Sequence, residues 1–183
     1  MPGGSSAVFL DRDGVLVRAV RGHGPPRSAS TVDELELLPD AVEACTALKA
    51  AGYALVVVTN QPEIARGTLD AEIVSRQNDV LREAVPLDDI VVCPHDDADG
   101  CDCRKPNPGM LLAAADRLGV DLAASFMVGD RWRDVEAGHA AGCRVVFVDH
   151  DYDERLQSEP DAVVASVGDA ARWILALCAR PNV

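Results

Sequence analysis

Phe9-Leu10-Asp11-Arg12-Asp13-Gly14-Val15-Leu16 begins as an apolar run and breaks into two carboxylates and a glycine. Such a run reads as a buried strand over residues 7–10 feeding a turn, with Gly14 permitting the sharp exit. If the chain stays extended past Leu10, the side chains of Asp11 and Asp13 point the same way. Two anions held together need a counter-charge, and Mg²⁺ suits them: it takes hard oxygen ligands, few of them from protein, and fills its remaining positions with water and substrate oxygens. The plainer reading of an isolated Asp-x-Asp-Gly is a turn cap.

Outward from this strand the pattern repeats. Residues 53–58, 90–92, 126–128 and 144–148 are further short apolar runs, and helix-period segments lie between them. Residues 40–51 carry Ala41, Ala44 and Leu48 at helical spacing and stop at Gly52; residues 69–85 read likewise; residues 108–118 open at Pro108 and close at Gly119; a last helix covers about 169–179. Strands alternating with helices predict an α/β fold, a parallel sheet flanked by helices in a single domain over residues 1–183. Residues 18–30, with Gly22, Gly24, Pro25 and Pro26, read as a loop.

Composition sets the outer limits. The chain has 183 residues, 48% hydrophobic and 26% charged, which is globular composition at the size of one domain. No apolar run approaches the roughly 20 residues of a membrane helix, and the first residues carry no basic cluster, so the expectation is a cytoplasmic protein with no membrane partner. A net charge of -13 argues against nucleic acid as partner. It also means that an anionic ligand needs a local positive site.

In open α/β sheets ligands bind beyond the carboxyl ends of the strands. Each candidate strand here ends in polar chemistry: Asp11 and Asp13, then Thr59-Asn60-Gln61, then Cys93 and His95, then Asp130. Asp130 can add a carboxylate to the magnesium set of Asp11 and Asp13, or cap a helix, or both; Asp134, one helical turn on, reads as an orienting or outer ligand. The Thr59 hydroxyl and the Lys105 ammonium are the donors expected to meet phosphate oxygens. Cys93, His95, Cys101 and Cys103 form a Cys₃His set, the composition of a closed structural Zn²⁺ site, in a short loop over 93–103. Cys45, Cys143 and Cys178 read as buried thiols, His23, His139 and His150 take no role, and Asp96, Asp97 and Asp99 read as a solvated acidic run.

These elements, in this order from about Val8 to Val148, resemble the haloacid dehalogenase superfamily of aspartate-nucleophile phosphatases. Within it, Leu10-Asp11-Arg12-Asp13-Gly14, Val58-Thr59-Asn60-Gln61, Ile64-Ala65-Arg66-Gly67, Cys93-Pro94-His95, Cys101-Asp102-Cys103-Arg104-Lys105-Pro106 and Pro108-Gly109-Met110 resemble the D-glycero-D-manno-heptose-1,7-bisphosphate 7-phosphatase family, and histidinol-phosphatases share much of the pattern. The resemblance implies a Rossmann-like domain without a large cap. It implies Asp11 as nucleophile, Asp13 as general acid and base, and Mg²⁺ on Asp11, Asp13 and Asp130. Arg12, Thr59, Asn60, Gln61, Arg104 and Lys105 would bind phosphate or substrate, with Arg131 and Asp134 in support. Two departures bear on specificity: Pro62-Glu63 stands where the family has Ser-Gly, and residues 19–24 replace its substrate loop. A small sugar phosphate is the expected substrate, the heptose bisphosphate first and histidinol phosphate or another sugar phosphate next, acted on by a monomer. A zinc-stabilised binding protein without turnover is the alternative from a different class.

Overall fold

A computed structural model describes residues 5–22 and 24–178, so that His23 and the Cys178 side chain lie outside the described part. In chain order the elements are β1 (Ala7–Leu10), β2 (Val20–Gly22), β3 (Gly24–Arg27), α1 (Ala41–Ala50), β4 (Ala54–Asn60), α2 (Ala71–Ala84), β5 (Asp89–Cys93), α3 (Gly109–Leu118), β6 (Phe126–Gly129), α4 (Trp132–Ala141), β7 (Arg144–Val148), β8 (Ala162–Val164) and α5 (Val167–Cys178). Six strands form one sheet in the order β5-β4-β1-β6-β7-β8, every neighbouring pair parallel. The strand order reverses at β1, the strand that delivers Asp11, and such a reversal opens a crevice at the carboxyl edge.

Both faces of the sheet are covered, which is why its strands read as unbroken apolar runs. Val8, Leu10, Leu55, Val57, Val128 and Val146 pack on one side with Ala41, Ala44 and Leu48 of α1 and Ala170, Ala171 and Ile174 of α5. Phe9, Val56, Val58, Met127 and Val145 pack on the other with Met110, Leu111 and Ala114 of α3 and Val135 and Ala137 of α4. Alternate residues of each strand thus serve opposite layers, the period-2 rule of an extended chain.

Several elements go beyond the sequence reading. Helix α4 was not delineated, because Gly138 and His139 interrupt its pattern; yet a Cβ at Gly138 would lie 2.7 Å from Val145 Cγ2 and 2.8 Å from Met127 Cβ, so glycine is what lets this helix approach the sheet. Strand β8 is three residues at the sheet edge, too short for a periodic signal. The expected loop over 18–30 contains an antiparallel hairpin, β2 with β3, pairing Val20 with Arg27 and Gly22 with Gly24. Strand β4 runs on to Asn60, so Thr59 and Asn60 are its last residues rather than a following turn. No large cap is inserted among the described residues, and none of their helices is long and apolar enough to cross a membrane.

Candidate active site

Asp11 leaves the end of β1 with its backbone N–H still donating to the Val128 carbonyl of β6 at 2.9 Å, so the residue sits at a fixed register between two central strands. Asp130 follows Gly129 at the end of β6, and Asp134 lies in the first turn of α4. Oxygens of Asp11, Asp130 and Asp134 all lie within 4.8 Å of one another, and all three residues are buried. At that spacing like charges repel by about 3 kcal/mol per pair even at an effective dielectric of about 20. One cation answers them: Lys105, only 2% exposed, donates from Nζ to Asp11 Oδ1 at 2.8 Å and to the Val58 carbonyl at 2.7 Å, and pairs with Asp134 Oδ1 at 2.6 Å.

One ammonium against three carboxylates leaves the site short of positive charge. Burial pushes the Asp11 carboxyl up to about 6, against the pull of Lys105 and with Asp134 adding to the rise. Burial, with Asp11 and Asp134 beside it, raises Asp130 well above the carboxylate range. Asp130 Oδ1 is buried with no hydrogen-bond partner. Oxygen donors, excess negative charge and an unpartnered buried acceptor fit a hard divalent cation, and the donor set is one Mg²⁺ accepts. Asp134 has both oxygens engaged, Oδ1 by Lys105 and Oδ2 by the Arg131 N–H at 3.0 Å, so it orients its neighbours. Asp130 does not cap α4; the cap position is Arg131, satisfied through Asp134.

Asp13 is not among the carboxylates of this cluster. Asp13 Oδ2 instead accepts from Arg12 Nε at 3.0 Å, Gln61 Nε2 at 2.9 Å and Ser28 Oγ at 3.0 Å. Gly14 carries φ +92°, and a Cβ there would sit 1.9 Å from Asp130 Oδ2, so the turn after the two aspartates is closed to any side chain.

Three of the expected substrate contacts also have partners within the protein. Arg12 is fully buried and turned inward, with Nη1 donating to Asn78 Oδ1 of α2 at 3.0 Å. Gln61 is also fully buried, joining Asp13 to Thr59 Oγ1 at 2.9 Å. Asn60 clamps the Lys105 backbone, donating from Nδ2 to its carbonyl at 3.0 Å and accepting its N–H at 3.1 Å. Lys105 has its ammonium on three protein oxygens, so a direct phosphate contact requires one of these bonds to be exchanged. Thr59, Asn60, Arg104, Lys105 and Arg131 line the cleft.

The cleft is about 370 Å³, and its lining carries six cationic and six carboxylate side chains. Around Lys105 its wall gathers Arg27, Arg66, Arg104, Arg131 and Arg133 in a chain of net charge -13. Sequence reasoning gave no role to Arg27 and Arg133 and quoted Arg66 only within a motif; the acidic run is exposed at Asp97 and Asp99 as expected, but Asp97 pairs with both Arg104 and Arg133, and Asp96 pairs with Arg66 and is held down to about 2 by it. Arg131 is paired with Glu154 at 2.7 Å, and Tyr152 shares a hydrogen bond with Asp130. His150, assigned no role, lies with Nε2 2.6 Å from the Gly14 carbonyl. Arg27 ends β3, Arg66 belongs to the Ile64-Ala65-Arg66-Gly67 motif, and Arg133 lies in the first turn of α4.

The cysteine loop closes beside the cleft. Cys103 Sγ lies 3.2 Å from Cys93 Sγ, 3.3 Å from Cys101 Sγ and 3.3 Å from His95 Nδ1; Cys93 Sγ is 3.7 Å from both of the others. Ligands at ordinary zinc distances form a tetrahedron with edges of about 3.8 Å between sulfurs and about 3.6 Å between sulfur and nitrogen. The observed edges are near these and far too long for a disulfide. The four donors therefore fit Zn²⁺, with no open position left for catalysis.

A family model described as haloacid dehalogenase-like hydrolase matches residues 25–142. The D-glycero-beta-D-manno-heptose-1,7-bisphosphate 7-phosphatase of Pseudomonas aeruginosa is 40% identical over 148 residues, 78% of this chain and 80% of its own. The protein of the same name from Salmonella typhi is 38% identical over 187 aligned positions, 92% of this chain and 89% of its own. Among solved structures, the D,D-heptose 1,7-bisphosphate phosphatase from B. bronchiseptica, complexed with magnesium and phosphate, has a TM-score of 0.81 at 32% identity and covers 94% of this chain and 99% of that one.

Proposed function

The chain belongs to the haloacid dehalogenase-like hydrolase family, and from that premise we propose a magnesium-dependent phosphomonoesterase that removes the 7-phosphate of D-glycero-D-manno-heptose 1,7-bisphosphate through a phosphorylated Asp11. The observation that carries the reading is the placement of Asp11 at the strand reversal, between Lys105 and the unpartnered Oδ1 of Asp130. Asp11 attacks phosphorus as the bond to the sugar oxygen breaks, and Asp13 gives that oxygen a proton. Asp13 then takes a proton from water as the water displaces Asp11 from phosphorus, which restores both carboxyl groups. Asp11 and Asp130 would hold Mg²⁺, which would supply the positive charge that lets one anion attack another. Thr59 offers a hydroxyl to the transferring group, and Arg104 with its cleft neighbours meets the rest of the anion. Zn²⁺ on Cys93, His95, Cys101 and Cys103 is the structural partner of the 93–103 loop, and a monomer in the reducing cytoplasm completes the reading.

The substrate rests on relatives at about 40% identity that carry its name. Pro62, which removes a backbone donor from the cleft wall, and the β2–β3 hairpin favour another small sugar phosphate as the second reading. Phosphate release with Mg²⁺ from both heptose-1,7-bisphosphate anomers, histidinol phosphate and common hexose phosphates separates them. One heptose anomer is expected to lead in kcat/KM by at least about tenfold. A hexose or histidinol phosphate in that place overturns the substrate, and no release from any member overturns the activity.

The raised Asp11 carboxyl gives a pH prediction. A carboxyl raised in the fold contributes stability that is present below its ordinary pKa of 3.8 and is lost as pH rises through about 6. In magnesium-free buffer the Tm should therefore fall between about pH 5 and about pH 7.5, and added Mg²⁺ should raise it more at the higher pH, where the ligands are ionised. Thermal melts at the two pH values, with and without Mg²⁺, check this; an equal magnesium shift at both contradicts it.

A further inference from the structure

Ser28 follows the β2–β3 hairpin, is 9% exposed and lines the cleft. Its hydroxyl lies 3.0 Å from Asp13 Oδ2, the oxygen that also accepts from Arg12 Nε and Gln61 Nε2. Asp13 Oδ1 has only Arg12 Nη2, at the long distance of 3.5 Å. Three donors around Oδ2 leave no room there for a carboxyl proton, so a proton carried by Asp13 resides on Oδ1. Two of the donors belong to segments at the carboxyl edge of the sheet. The third arrives from the hairpin arm, and that arm is seated independently: Gln77 of α2 donates from Nε2 to the carbonyls of Ala29 and Thr31, each at 2.9 Å.

We propose that Ser28 is a positioning residue for the phosphatase reaction: its hydroxyl fixes the Asp13 carboxyl group so that Oδ1 faces the oxygen leaving phosphorus. The inference rests on the role proposed above for Asp13. As the bond from Asp11 to phosphorus forms and the bond from phosphorus to the sugar oxygen breaks, the electron pair leaves with that oxygen. The proton passes to it from Asp13 Oδ1, leaving a carboxylate that Ser28, Arg12 and Gln61 hold through Oδ2. The Ser28 proton stays on Ser28 throughout. A serine beside the general acid, on the arm that borders the substrate cleft, ties the seating of that arm to proton delivery.

A leaving-group comparison tests this. 4-Nitrophenyl phosphate expels a phenolate that needs no proton, whereas an alkyl phosphate depends on the acid, and kcat/KM reports the steps through departure of the alcohol. Wild type, Ser28→Ala, Ser28→Thr and Asp13→Asn are compared on 4-nitrophenyl phosphate and on the best alkyl ester of the substrate panel. Asp13→Asn is expected to lose about 100-fold or more on the alkyl ester relative to the aryl ester, Ser28→Ala about 10-fold in the same sense, and Ser28→Thr to restore the wild-type ratio. Each ratio is taken within one protein, so partial loss of folded enzyme cancels; Ser28→Cys, of similar volume and a weak donor, should follow Ser28→Ala. A selective loss in Asp13→Asn with a uniform loss, or none, in Ser28→Ala overturns the role of Ser28 alone. A uniform loss in Asp13→Asn overturns the reading of Asp13 and this inference with it.

Discussion

Asp11→Asn is expected to lower kcat/KM for phosphate release by at least about 10⁴-fold and to leave no phosphorylated protein on rapid quench, while the fold survives. The substitution keeps the shape of the side chain and an oxygen to accept from Lys105 Nζ, now at 2.8 Å from Asp11 Oδ1, so the packing between β1 and β6 is undisturbed. It removes the only carboxylate of the buried cluster that meets the cleft from the end of the central strand. It also relieves repulsion, because Asp130 and Asp134 lose a third anion beside them while Asp134 keeps Lys105. In magnesium-free buffer the variant should accordingly melt no lower than the wild type near pH 7.5, a combination of lost activity and retained or improved stability that misfolding cannot produce. Activity within about tenfold of wild type would place the nucleophile elsewhere.

Loss of the zinc site carries the second large effect. Cys103 is the centre of the thiol cluster, within 3.3 Å of each of the other three donors. The segment around it has little core of its own and is otherwise tied by Arg104 to the His95 carbonyl at 3.2 Å and to Asp97 at 2.8 Å. Burial pushes the Cys93 thiol up to about 12, and a bound cation would favour its thiolate. Wild-type protein should contain one zinc per chain by metal analysis. Cys103→Ala should lose that zinc, melt about 10 °C lower, and lose about 10- to 100-fold in kcat/KM because Arg104 and Lys105 are carried by the loop the metal closes. Zinc-free wild type with full stability would show that the Arg104–Asp97 pair and thiol packing hold the loop without metal.

The amino-acid order alone carried the architecture, because the parallel sheet is a local affair of apolar runs and turn residues. β1 is where Phe9-Leu10-Asp11 puts it, and β7 and the sheet-facing side of α1 follow the same logic. It also carried the list of reactive groups, since two carboxylates two residues apart and four zinc-type ligands from Cys93 to Cys103 have few other uses. The hairpin β2–β3 and the bounds of helix α4 are not legible because they depend on partners elsewhere: α4 owes its place to Gly138 lying against Met127 and Val145.

What only the tertiary structure decided is which way each polar side chain faces and what it meets. Arg12 and Gln61 sit in motifs that suggest contact with ligand, yet both are fully buried and spend their donors on Asp13, Asn78 and Thr59. Asp13 and Asp11 share a motif but are divided by it, one among arginine, glutamine and serine donors, the other against Lys105. Spacing in a chain fixes which residues share a strand end; the balance of charge and hydrogen bonds around each of them is set by residues tens of positions away, and only folding brings those together.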